Sequence, residues 1–256
     1  MDRVTHALVL REVNYKESDK ILTILTPEWG KMTVSARGCR KKNSKLGAGA
    51  QLLVYSELTL YEYRGRWAVR EASPEELFWG VRQDVEKLAL ASYFAEVMEV
   101  CTQEEVEAGE LLSLILNALY ALDRLNKPQN QVKSVFELKL MSLSGYEPML
   151  DCCAVCGEEP SEPMLHLREG ALHCRACREK LGEGVSMPLS PGSLAALRHV
   201  VLGSPKRLFS FALPPEEQRR MDDACEAFLL TQLERGFYTL DFYKKLLHMA
   251  GDAIAK

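Results

Sequence analysis

Apolar and polar positions change period along this chain of 256 residues, and each change marks a different kind of element. Residues 4–12 (VTHALVLRE) and 20–26 (KILTILT) are short runs rich in Val, Ile, Leu and Thr without a helical stripe, which predicts strands. Trp29-Gly30-Lys31 predicts a turn into a third strand over Met32–Ala36. Leu52–Tyr63 (LLVYSELTLYEY) predicts a fourth, and Arg64-Gly65-Arg66 a tight turn into a fifth over Trp67–Ala72. Five short strands in the first 80 residues fit a small antiparallel barrel of the OB type, whose closure removes exposed edges. An SH3-like barrel fits nearly as well, because strand count does not separate the two.

From Ser73 the spacing becomes helical. Ser73-Pro74-Glu75-Glu76 has the order of a helix start: a capping hydroxyl, proline in the first turn, and Glu three residues after the cap. Val81, Val85, Leu88, Ala95 and Met98 form one apolar stripe, and Leu90, Phe94, Val97 and Cys101 a second, so this helix is expected to be buried on most sides. Leu111, Ile115, Ala118 and Leu122 mark the next helix, and Val132, Phe136, Leu140 and Leu143 a third. Ser190-Pro191 starts a short helix, and Met221, Cys225, Phe228 and Leu229 face the core from a longer one. Phe242, Leu246 and Leu247 supply the last apolar positions. The predicted class is therefore α+β and multidomain. A barrel fills 1–80 and a helical domain of five or six helices fills 81–256, interrupted at 150–182 by a cysteine-bearing insertion. No internal repeat is present.

The interruption carries the clearest chemistry. Of eight cysteines, four form Cys153-Ala-Val-Cys156 and Cys174-Arg-Ala-Cys177, with 17 residues between the pairs. This spacing is that of a four-thiolate zinc ribbon: each pair makes a knuckle placing two sulfurs on one side of a tetrahedral ion. Met164–Arg168 and Ala171–Cys174, around Glu169-Gly170, form the expected hairpin. Four thiolates leave no open position, so the zinc is structural. Cys152 and His173 adjoin ligands but have poorer spacing. Cys39, Cys101 and Cys225 read as plain thiols.

Composition is ordinary, with 47% apolar residues and a formal charge of −4. No apolar run approaches the roughly 20 residues that cross a bilayer. The opening Met1-Asp2-Arg3-Val4-Thr5-His6 lacks the apolar core of an export signal, so reduced thiols and a cytoplasmic location are expected. The average charge hides a contrast: Trp29–Ser56 holds six basic residues and no acidic one, while 81–150 holds 11 acidic against six basic. A local basic surface on an acidic protein suits a phosphate-backbone binder; a solvated loop is the plainer alternative. Leu46-Gly47-Ala48-Gly49-Ala50 lacks the Gly-Lys-Ser/Thr of a phosphate loop and is expected to be a flexible loop entering a strand. The five histidines have no ligand spacing, and no Gly-x-Ser-x-Gly is present, so nothing demands catalysis.

Three phrases carry a family likeness. Gly145-Tyr146-Glu147-Pro148-Met149-Leu150 before Cys153-x-x-Cys156-Gly157 resembles the approach to the zinc module of bacterial RecO proteins. Ala36-Arg37-Gly38-Cys39-Arg40, after Gly30-Lys31, resembles that family's N-terminal basic motif, with Cys39 where a small non-thiol residue is expected. Val9-Leu10-Arg11 with Tyr15-Lys16-Glu17-Ser18-Asp19 resembles its opening. The resemblance implies a non-enzymatic recombination mediator of DNA repair, active at the nucleoid. Such proteins bind single- and double-stranded DNA, anneal complementary strands, and help RecR load RecA onto DNA coated by single-strand-binding protein. Since some members lack the cysteines, the ribbon is not expected to be the common functional surface.

On that reading Lys31, Arg37, Arg40, Lys41, Lys42 and Lys45 contact phosphates. Trp29, Tyr61, Tyr63 and Trp67 are candidates for base stacking, with about half of them expected in the barrel core instead. The tail of single-strand-binding protein is expected near Arg124, Lys127, Lys133 and Lys139, flanked by Leu122, Leu125 and Phe136. The competing reading is a zinc-ribbon protein–protein adaptor that does not bind DNA directly. An enzyme with a structural zinc has the least support.

Overall fold

Residues 2–125, 127–181 and 184–254 are described by the computed structural model. Residues 182 and 255–256, the expected ends of the ribbon and of the helical domain, lie outside them. Two compact units share the chain: Met1–Arg124 with Phe237–Lys256, and Leu125–Gly236.

The first unit opens with β1 (Asp2–Tyr15), β2 (Asp19–Thr26), β3 (Gly30–Ala36), β4 (Tyr55–Tyr63) and β5 (Arg66–Glu76). They close in the order β1-β2-β3-β5-β4, and β4 returns to β1 through pairs such as Thr5–Leu58. All neighbours are antiparallel except β3 and β5, which meet in parallel at Val34–Trp67 and Ser35–Ala68. This order is the OB arrangement and resolves the choice that strand count left open. Register shifts at Val9/Arg11, Tyr55/Ser56 and Thr59/Leu60 supply the bends that closure needs. Alternate residues fill the interior, among them Ala7, Val9, Leu22, Ile24, Met32, Val34, Leu58, Leu60 and Val69.

Two expectations for this unit are corrected. Ser73–Glu76 continues β5 rather than starting a helix, with Ser73 paired to Glu57 and Pro74 to Ser56. Strand β5 pairs with β3 at Trp67 and Ala68, so Pro74, which has no N–H, sits where β5 has no second neighbour. The long helix instead starts at Asp84, whose carboxylate accepts from the N–H groups of Glu86 and Lys87. The segment around Gly47 and Gly49 is anchored rather than flexible: Cys39, Leu46 and Ala50 are buried in the barrel core.

The unit continues with α1 (Trp79–Arg82), α2 (Val85–Cys101) and α3 (Gly109–Arg124), and it includes α8 (Tyr238–Ile254). Helix α2 packs against β1, α3 and α8 and buries Leu90, Tyr93, Phe94, Val97 and Met98. The α2–α3 connection is tied to the β2–β3 turn: Lys31 N–H donates to the Gln103 carbonyl, and Glu105 N–H to that of Trp29. Gly30 lies between them at φ +60°, where a Cβ would run into the Gln103 and Val106 carbonyls. Among the described side chains of α8, Leu240 and Tyr243 are buried, following Phe237, whose ring meets Tyr93 edge-on at 5.7 Å. Phe242 and Leu247 are exposed, because the face turned to the core is out of phase with them.

The second unit contains α4 (Gln129–Leu143), a three-stranded sheet of β6 (Pro163–His166), β7 (Ala171–Cys174) and β8 (Ser186–Pro188), α5 (Arg175–Leu181), α6 (Pro191–Leu202) and α7 (Pro215–Gln232). Ser190 caps α6 by accepting from Ser193 N–H, as its sequence predicts. Met221, Cys225, Phe228 and Leu229 are buried on α7. Helices α4 and α7 also enclose a charge cluster that periodicity does not show. Lys133, 2% exposed, reaches Glu137 at 3.2 Å, Asp222 at 2.9 Å and Glu226 at 3.0 Å. No helix among the described residues is long and apolar enough to cross a membrane.

Burial alone would lower the Lys133 pKa, but the three carboxylates outweigh it and hold the ammonium charged. Burial raises Asp222, and the shared lysine only partly reverses that. Removing the cation leaves buried negative charge uncompensated, so Lys133→Met is expected to cost about 3–5 kcal/mol. That corresponds to a fall in Tm of roughly 6–20 °C. A carboxylate raised by burial binds its proton more readily folded than unfolded, so its destabilising effect grows as pH rises. Thermal melts of the variant should therefore show a larger deficit at pH 8 than at pH 5; an equal deficit would mean that the carboxylates do not cause it.

Candidate metal centre and nucleic-acid interface

The ribbon hairpin brings the two cysteine pairs together. Met164 pairs with His173 and Pro163 with Cys174, which places Cys174 at the end of β7 and Cys177 in the first turn of α5. Cys153 and Cys156 come from the knuckle before β6, where Gly157 N–H donates to the Cys153 carbonyl at 2.8 Å with Gly157 at φ +75°. All four Sγ atoms lie within 4.8 Å of one another. A tetrahedral zinc with bonds of about 2.3 Å sets sulfurs ~3.8 Å apart, and Cys156 Sγ and Cys174 Sγ are separated by 3.7 Å. The donor set fits one metal ion.

The electrostatics of the thiols agree with that fit. Burial pushes Cys153 up, but N–H groups of Cys156, Cys174 and Val155 outweigh it and bring the thiol down to about 6. Cys174 is driven the other way, to about 12, by desolvation and then by the neighbouring sulfurs. One thiolate thus opposes ionisation of the next, a conflict that a divalent cation removes. Cys152 is exposed and outside the cluster. His173 is also outside it; its ring is buried, with Nε2 3.8 Å from the Glu169 carboxylate. Cys39 and Cys225 are buried thiols pushed up by desolvation.

A second site lies in the first unit. A groove of about 1300 Å³ runs over the β3–β5 seam, lined by Val34, Ser35, Trp67 and Ala68 from the paired strands. Its cations are Arg3, Lys16, Lys31, Arg37, Arg64 and Arg66; its aromatic residues are Tyr15, Trp29, Tyr63 and Trp67; Asp19, Glu104 and Glu105 are its carboxylates. Trp29 and Trp67 pack partly against the barrel core, whereas Tyr63 is exposed. Tyr61 lies outside the lining with the Arg70 guanidinium over its ring at 5.1 Å. The arrangement combines positive charge with ring faces, the two features that hold a single nucleic-acid strand without reading its sequence.

The structure divides the cations expected to meet phosphates. Arg37 and Lys31 line the groove, although the Lys31 ammonium already donates to the Glu99 carbonyl at 2.7 Å. Arg40, Lys41, Lys42 and Lys45 are exposed on the anchored loop and do not line the groove. Arg3, Lys16, Arg64 and Arg66 were missed as sequence candidates. Arg64 and Arg66 could have been found as cations on the turn between two aromatic-bearing strands. Arg3 could not, because its partners Trp29 and Trp67 are distant in sequence.

The tail-binding cluster expected on the helices is corrected at Lys133, whose ammonium is buried among three carboxylates and is not available to a peptide. Lys127 and Lys139 are bound to the carbonyls of Phe211 and Val201, and Arg124 to Asp123.

The family described as "Recombination protein O N terminal" matches residues 1–78, and that described as "Recombination protein O C terminal" matches residues 82–241. The chain is 32% identical over 244 residues to the DNA repair protein RecO of Acetivibrio thermocellus, covering 94% of this chain and 96% of that protein. It is 35% identical over 223 residues to that of Heliobacterium modesticaldum, covering 84% and 79%. With that of Alkaliphilus metalliredigens it shares 28% over 244 residues, covering 94% and 98%.

Four sulfurs around one tetrahedral centre predict one metal ion per chain. Metal analysis of the purified protein should find Cys153→Ser depleted and Cys152→Ser fully loaded. Acidification should release the ion, because its ligands must be deprotonated. Equal metal content in both variants would refute the ligand assignment.

Proposed function

This chain belongs to the RecO family, a family of DNA repair proteins, and on that premise we propose that it is a non-enzymatic mediator that binds DNA through its barrel. Residues 1–80 act as the DNA-binding module, and the insertion at 150–182 is a ribbon stabilised by one structural zinc. The protein anneals complementary strands and works with RecR to load RecA onto single strands coated by single-strand-binding protein, whose acidic tail it also contacts. It does so in the bacterial cytoplasm, at the nucleoid during repair.

The observation that carries this reading is the basic, aromatic groove on the OB barrel. Annealing needs a surface that holds backbones and leaves base edges free, and cations beside ring faces meet that need. Arg37 lines the groove, and Arg40, Lys41, Lys42 and Lys45 extend the positive surface beyond it on a loop whose own core residues hold it in place. Zinc is the metal of choice for a closed four-thiolate site, and with every position filled by sulfur it serves the fold.

The reading is tested by titrating labelled single-stranded DNA at several salt concentrations, with and without RecR. Replacing the five loop cations together by Ala should weaken binding for all sequences and flatten the salt dependence. Each phosphate of a single strand that is no longer neutralised takes about 0.7 off the log–log slope. Thermal stability should change little, since exposed charges contribute little to folding. Absence of salt-dependent binding by the parent chain would leave the adaptor reading in place. An unchanged slope in the variant would place the phosphate-neutralising cations elsewhere than on the loop.

A further inference from the structure

Three arginines of the groove have their charge matched by rings. Elsewhere several guanidinium groups sit on carboxylates: Arg11 on Glu99 at 3.1 Å, Arg175 on Glu162 at 3.1 Å, Arg198 on Glu159 at 2.8 Å. In the groove Arg3, Arg37 and Arg64 sit on rings instead. Arg37 and Arg64 lie over the Tyr63 ring at 5.8 and 5.2 Å. Arg3 is held between two indoles, 4.6 Å from the centroid of Trp29 and 4.4 Å from that of Trp67. Among the described residues the Arg3 side chain has no ion pair and no hydrogen bond, although carboxylates line the same groove. One of these, Asp19, already accepts from Gly38 N–H at 2.7 Å.

A guanidinium between two rings is attracted by both π-faces and loses part of its water, yet its N–H donors lie in its own plane and remain free to point outward. A fork of donors fixed in a groove and lacking an anion matches a phosphate, which accepts two of its hydrogen bonds side by side. The same geometry bears on the rings. The indole faces that a base would stack on are occupied, and stacking there requires Arg3 to leave both of them.

Building on the reading of the barrel as the DNA-binding module, we propose that Arg3 is a phosphate-contacting residue of the groove, that Trp29 and Trp67 position its guanidinium rather than stack on bases, and that stacking falls to the exposed Tyr63. The position of Arg3 supports this role. It shares the inward-facing phase of β1 with Ala7 and Val9, so its side chain is directed along the barrel interior toward the groove instead of into solvent. Lysine could supply the charge at this position but not the planar, stacked fork.

The test is a salt titration with labelled oligothymidylate on the full chain, comparing the parent with Arg3→Ala, Arg3→Lys and Tyr63→Ala, each checked by thermal melting. Arg3→Ala should lower the log–log slope by about 0.7. Arg3→Lys should keep the slope while binding more weakly, because charge without the fork still neutralises a phosphate. Tyr63→Ala should bind more weakly, with a slope that falls less than that of Arg3→Ala. A parent slope in Arg3→Ala, with the parent itself binding, overturns the assignment of Arg3 and leaves the barrel as the DNA module. Tighter binding by Arg3→Ala with new quenching of tryptophan emission also overturns it, since bases would then be taking the indole faces. A parent that shows no salt-dependent binding overturns the assignment together with the reading it rests on.

Discussion

Two residue pairs close the barrel. Val34 lies opposite Trp67 and Ser35 opposite Ala68, and without this junction of β3 and β5 the five strands would form an open sheet with two unprotected edges. Because the junction is parallel and short, the strands separate beyond it, and the groove opens along the seam. Closure also fixes the rings. Trp67 lies within the paired segment and Trp29 just before β3, so backbone pairing, together with packing on the barrel core, sets the two indoles beside Arg3. The charge of Arg3 is thereby held on aromatic faces, where no carboxylate pairs with it.

The second unit solves a different problem with a similar sharing of partners. Its small sheet cannot bury enough apolar surface to hold a hairpin of four-residue strands, and the cysteine knuckles bring four sulfurs to one point. Thiols so close oppose one another's ionisation unless a cation is shared. Between α4 and α7 the signs are reversed, and one lysine is shared by three carboxylates. In both places the sequence gathers like charges that are stable together only when their counter-charge is present.

Strand positions, the α2 stripe of Leu90, Phe94 and Val97, the α6 cap and the cysteine hairpin were legible because each is a local pattern: period two, period 3.6, a Ser-Pro start, a repeated Cys-x-x-Cys. The other stripe expected on that helix breaks at its start, since Val81 lies on α1 and Val85, in the first turn of α2, is exposed. What failed was equally physical. Ser73-Pro74-Glu75-Glu76 has the residues of a cap, but pairing with β4 at Ser56 and Glu57 holds it extended. Lys133 reads as a surface lysine until Asp222 and Glu226 arrive from a helix some 90 residues later in the chain. Arg3 is an ordinary cation near the N-terminus until closure brings the indoles to it. The basic run from Trp29 to Ser56 announced a positive surface, but it did not show that Arg37 and Lys31 line the groove while Arg40, Lys41, Lys42 and Lys45 stand apart.

Whether a single strand sits in the groove on the β3–β5 seam can be tested by trapping it. Photo-cross-linking a bromouridine-substituted oligonucleotide to the full chain, with the adducts mapped by mass spectrometry, shows which residues it touches. Adducts are expected on the groove, foremost at Tyr63, in the 63–67 turn and at Tyr15. Adducts confined to the ribbon at 153–181, with the groove unlabelled, would contradict DNA binding at the seam.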